Sequence, residues 1–71
     1  MTLAQLVRSA RTASGLSRPR LAAVSGVPLD TIDAVERGVT RNPGVRTVAR
    51  LVAALHIDPA AAFRASLEDA S

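Results

Sequence analysis

An all-α domain built from five short helices is what this chain of 71 residues predicts. Three observations lead there. Apolar residues recur at three- and four-residue spacing in segment after segment, and no stretch alternates as a strand would. Gly or Pro stands at the breaks between those segments. The stretch 18–37, RPRLAAVSGVPLDTIDAVER, spaces its small and apolar residues as two helices joined by a tight turn require: Ala22 four before Gly26, Gly26 six before Ile32, Ile32 three before Val35. A steep crossing of short helices needs a small residue at the contact, a glycine free to take positive φ at the corner, and anchors at i and i+3 on the second helix.

The first helix is predicted over about residues 2–13. Thr2 can cap it, with Gln5 three residues on as a capping box wants, and Leu3, Leu6, Val7 and Ala10 share one face. Gly15 ends it. The second spans about 18–25, capped by Ser17, with Pro19 in the first turn, where a missing N–H costs little. Leu21, Ala22 and Val24 form its buried side, and Gly26 closes it. The third spans about 28–37, started by Pro28, with Asp30 at the positive end of the helix dipole and Ile32 and Val35 facing inward. After the turn-forming stretch 38–43, GVTRNP, the fourth spans about 44–56 with the stripe Val45, Val48, Leu51, Val52, Leu55. Asp58-Pro59 restarts the chain as a fifth helix, about 59–68, anchored by Phe63 and Leu67.

Size and composition exclude several classes. One small domain is all that 1–71 accommodates, with a marginal core and no disulfide, because Cys is 0. Thiol catalysis and Cys-based zinc sites go with the cysteines. His56 is the sole His, so no metal site is expected; the Ser residues lack a His–Asp constellation, and no Gly-rich phosphate loop exists. The expectation is no enzyme, no cofactor and no small-molecule substrate. No apolar run approaches the roughly 18 residues of a membrane span. The N-terminus lacks the pattern of a secretory signal, and a soluble, intracellular chain is expected.

All nine basic residues are Arg, and the formal charge is +3. Up to residue 57 eight arginines face three acids; from 58 to 71 one faces three. A GC-rich genome could supply Arg in place of Lys, but it does not produce that asymmetry. A basic body with a slightly acidic tail suits a polyanionic partner.

Taken in order, several blocks resemble the lambda-repressor-like domains, the Cro/CI or XRE family of helix-turn-helix regulators. They are the arginines of the first helix, Leu21-Ala22-(x3)-Gly26-Val27, Thr31-Ile32-(x3)-Glu36-Arg37-Gly38, Asn42-Pro43, and Leu55-His56-Ile57. The resemblance runs from about Leu3 to Phe63, with the helix-turn-helix at about 18–37. It implies a structural ion pair between Arg11 and Glu36, orienting the third helix. It implies phosphate contacts from Arg18, Arg37, Arg41, Asn42 and Arg46; relatives often carry Gln at the position of Arg18. Arg20 and Arg50 read equally well as a solvated face. Base reading would fall to Leu29, Asp30, Thr31, Asp33 and Ala34, a departure from the usual Gln, Ser, Asn or Arg. Leu29 could touch a thymine methyl and Asp30 accept from cytosine N4, or Asp30 could merely favour the helix start. His56 stands where relatives often have Gly, at a helix end that suits a cation.

The function implied is a sequence-specific DNA-binding transcriptional regulator. It would be a repressor, acting as a homodimer on double-stranded DNA with its third helix in the major groove. The setting implied is the cytoplasm of a bacterium or of a phage-infected host. A dimer contact within the chain would use Phe63 and Leu67; alternatively Phe63 packs into the core. The alternative function is a protein-interaction module on the same fold, antitoxin-like or a phage regulatory adaptor, that uses the Leu29/Asp30/Asp33 surface and binds DNA weakly or not at all.

Overall fold

Capping chemistry sets the helix starts. In the computed structural model, which describes residues 1–40 and 43–70, α1 spans Leu3–Ala13, α2 Arg18–Ser25, α3 Leu29–Glu36, α4 Val45–Leu55 and α5 Pro59–Ala70. At α1 the Gln5 N–H donates to Thr2 Oγ1 at 3.2 Å and the Thr2 N–H donates to Gln5 Oε1 at 2.9 Å, the reciprocal box that satisfies two orphan amides. At α2 the Ser17 hydroxyl accepts from the Arg20 N–H at 3.2 Å. α3 has no side-chain cap; Pro28 precedes it, and its carbonyl accepts the Ile32 N–H at 3.1 Å.

The corner between α2 and α3 turns on Gly26 at φ 76°, ψ 10°, whose N–H donates to the Ala22 carbonyl at 3.0 Å. A Cβ there would meet nothing within 4 Å, so the glycine is needed for its backbone handedness and not for room. Val27, next along, folds back into the core and is 2% exposed.

α1 packs on α3, α4 and α5, and α2 packs on α3 and α4, around a core that includes Leu3, Val7, Leu21, Ile32, Val35 and Leu51. The all-α architecture with a helix-turn-helix at its centre is as the sequence predicts, with no strand among the described residues.

Three details of the predicted faces are corrected. Val24 is 53% exposed, because α2 is only eight residues long and Val27 takes the core position beyond the turn. Val45 is 85% exposed, since it opens α4 before the first packed turn; the packed stripe starts at the partly buried Val48. Phe63 and Leu67 do not anchor α5; they face solvent, and Ala62 and Ala65 are buried instead. Small side chains at i and i+3 let the α5 backbone lie close to α1 and α4.

α4 ends on His56 with φ 55°, ψ 38°, the sole non-glycine residue at positive φ among the described residues. The left-handed conformation lets the His56 N–H donate to the Val52 carbonyl, but a Cβ is strained there. The side chain is exposed and contributes little packing. His56→Gly is therefore expected to raise stability by about 1 kcal/mol, relief of strain outweighing the added freedom of the unfolded chain. A urea midpoint no higher than that of the parent would contradict this.

Candidate nucleic-acid interface

The two sides of α3 differ in kind. Ile32, Val35 and Glu36 point inward and are 0–2% exposed, which fixes the rotation of the helix about its axis. The opposite side presents Leu29, 40% exposed, and the exposed Asp30, with Asp33, Thr31 and Ala34 at its partly buried margins. Asp30 lies in the first turn, where its charge meets the positive end of the helix dipole. Arg37 follows the last turn, and Arg46 lies in the first turn of α4; both are exposed. Arg41 and Asn42 lie outside the described residues.

Glu36 is the one buried charged residue among those described, its side chain wholly removed from solvent. Burial without partners would be prohibitive for a carboxylate. Arg11 supplies a fork: Nε donates to Glu36 Oε2 at 2.6 Å and an Nη to Oε1 at 3.1 Å. The other Nη of Arg11 donates to the Leu16 carbonyl at 2.8 Å. One guanidinium thus joins α1, the α1–α2 connection and α3. Burial pushes the Glu36 carboxyl up, but hydrogen bonds from Arg11 and then Arg18, with the charges of both, outweigh it and hold it below the ordinary glutamate range. The same hydrogen bond pushes Arg11 up against its own desolvation.

The lowered carboxyl fixes the sign of the acid response. A group whose folded value lies below its unfolded value, about 4.3 for Glu, contributes stability above that pH and loses it as the pH falls through the folded value. The urea midpoint is expected to hold between pH 7 and 5 as far as Glu36 decides it, then to fall below about pH 4.3, and to fall less in Glu36→Gln. Equal acid sensitivity in the two proteins would contradict the assignment.

Arg18, the first residue of α2, also reaches α3. Its Nε donates to Glu36 Oε1 at 3.0 Å and lies 3.7 Å from Asp33 Oδ1. Sequence reasoning did not find these two contacts. They link residues 18 and 15 positions apart across the turn, and the signal that could have found them is the chance for four charges at 11, 18, 33 and 36 to meet once the turn folds. Beside Arg18 a shallow depression of about 430 Å³ opens between the starts of α2 and α3, bordered by Ser17, Pro19 and Leu29.

Elsewhere, α4 and α5 leave an apolar groove of about 480 Å³ between Val45, Val48, Val52, Ala62 and Phe63. Among the described residues no group of three or more His, Cys, Asp or Glu is placed to hold a metal ion, and no helix is long and apolar enough to cross a membrane.

The family model described as a helix-turn-helix domain matches residues 2–63, which takes in all of α1 to α4 and the first five residues of α5. No curated protein matches the chain, and no solved structure does. With the family match spanning the scaffold, the glycine turn and the outward helix alike, the chain belongs to the helix-turn-helix domain family.

Proposed function

We propose that the chain is a sequence-specific DNA-binding transcriptional regulator, a repressor that works as a homodimer in the cytoplasm, with α3 in the major groove. The observation that carries this is the two-sidedness of α3: one side is pinned by Ile32, Val35 and the Glu36 fork, and the other is offered outward. A helix used as a probe must be rigid relative to its scaffold, and this one is held through both its apolar and its charged contacts. Arg37, Arg46 and Arg18 flank it and serve the phosphates; Arg41 and Asn42 join them on the resemblance alone. Leu29, Asp30, Thr31 and Ala34 are the base-facing set, with Asp33 beside them next to Arg18. The homodimer is supported by α5, whose Phe63 and Leu67 are 66% and 55% exposed four residues apart, next to the apolar groove. Two copies related by a two-fold axis could each place Phe63 in the other's groove.

Selection from a randomised duplex pool, followed by titration of the recovered sequence at two salt concentrations, tests the reading. The DNA upstream of the protein's own gene is the first natural sequence to try. Arg37→Ala and Arg46→Ala are expected to weaken binding to all sequences and to flatten the log–log salt slope by about 0.9 each. A salt slope unmoved by both, or no enrichment from the pool, would reject it. Sedimentation at rising concentration tests the dimer, which Phe63→Ser should dissociate.

A second reading has one observation in its favour. The outward first turns of α3 hold Leu29, Asp30, Asp33 and Ala34, none of them a side-chain hydrogen-bond donor at neutral pH. Such a surface suits a protein partner, and the same titration separates the readings, since a protein-interaction module binds DNA weakly with a shallow salt dependence.

A further inference from the structure

Arg18 stands between two carboxylates of different kinds. Glu36 is buried and already held by the Arg11 fork, so the 3.0 Å bond from Arg18 Nε is to a fixed anion. Asp33 is its opposite: the 3.7 Å contact is an ion pair without a hydrogen bond, between side chains 44% and 42% exposed. An exposed pair of this kind is weak and exchanges readily with other partners. Both groups border the depression at the start of α2.

We propose that Asp33 acts through Arg18: it competes with DNA phosphate for that half-exposed guanidinium and so sets affinity for every sequence, instead of reading a base. The inference rests on the DNA-binding reading above. While Arg18 is engaged, the charge of Asp33 is neutralised and does not repel the duplex. A phosphate that takes Arg18 breaks the pair and leaves Asp33 as a bare anion at the interface. No hydrogen bond or ion pair ties the Asp30 side chain to another described residue, so its effect on DNA is independent of Arg18.

A double-mutant cycle separates these two modes. Binding to a fluorescently labelled duplex is measured at low salt for the wild type, Asp33→Asn, Arg18→Gln and the double variant. Asp30→Asn, alone and with Arg18→Gln, is the comparison. Circular dichroism confirms folding, and Arg18→Met, which keeps the stem, replaces Arg18→Gln should the latter not fold. Asp33→Asn is expected to tighten binding about tenfold when Arg18 is present and at most about twofold in the Arg18→Gln background. Asp30→Asn should change binding by the same factor in both. An equal gain from Asp33→Asn in the two backgrounds overturns the proposal, because repulsion alone then accounts for Asp33. So does an Asp33→Asn protein that changes the preferred sequence in a randomised pool without a general gain in affinity. A folded wild type that fails to bind any duplex at low salt rejects the DNA reading itself, and the proposal with it.

Discussion

Arg11→Ala is expected to remove about half of the domain's stability. Glu36 is fully enclosed, and two of its three hydrogen bonds come from Arg11. Removing one partner of a buried pair strands the other and costs about 3–5 kcal/mol. Domains have roughly 0.05–0.15 kcal/mol of stability per residue, so a chain of 71 residues holds only about 4–11 kcal/mol in total. Arg11 also carries the Leu16 carbonyl, so the α1–α2 connection loosens as well. Urea unfolding followed by circular dichroism gives the answer. Arg18→Ala is the comparison: it removes one bond from a half-exposed side chain and should cost only about 1 kcal/mol. A smaller loss for Arg11→Ala than for Arg18→Ala would mean that the buried fork does not carry the weight assigned to it.

Ile32→Ala is expected to cost about 2–5 kcal/mol and to lower the melting temperature by at least about 10 °C. Ile32 is 0% exposed and lies on the inner side of α3, so truncation opens a cavity beneath that helix. Leu29→Ala, on the outer side and 40% exposed, should cost less than about 0.5 kcal/mol. The pair also divides stability from recognition. Ile32→Ala should weaken DNA retention in proportion to unfolding, and Leu29→Ala should alter it with the fold intact. Equal melting temperatures for the two variants would show that the inner side of α3 is not what seats it.

Much of this architecture could be read from the residues. The Thr2/Gln5 box, Ser17 before α2 and Gly26 at the corner are local chemistry, decided within four residues of where they act, so the sequence displays them directly. The inner residues of α3 were legible for a related reason: Ile32 and Val35 are the only bulky aliphatic residues in an otherwise polar or small helix after Leu29. α5 misled because its sequence, PAAAFRASLEDA, offers apolar residues on more than one side. Bulk suggested Phe63 and Leu67, whereas close approach to α1 and α4 selected Ala62 and Ala65. Burial there follows from the distance between helices, which no single helix encodes. The same limit applies to Arg18. Its phosphate role is what the resemblance implies, while its contacts with Glu36 and Asp33 arise only when the turn brings α2 and α3 together.

The meeting of Arg11, Arg18, Asp33 and Glu36 has a consequence at long range. Two cations and two anions linked by ion pairs have no monopole, and their field dies away within the first layers of water. A polyanion still a Debye length away therefore does not feel them. It is drawn by the exposed outliers, Arg37 and Arg46 among them, which set how often a productive collision occurs. The quartet enters only after contact, where it governs how long the encounter lasts. Changes to the outliers should thus appear in the association rate, and a change that keeps the quartet neutral, such as Arg18→Gln together with Asp33→Asn, in the dissociation rate.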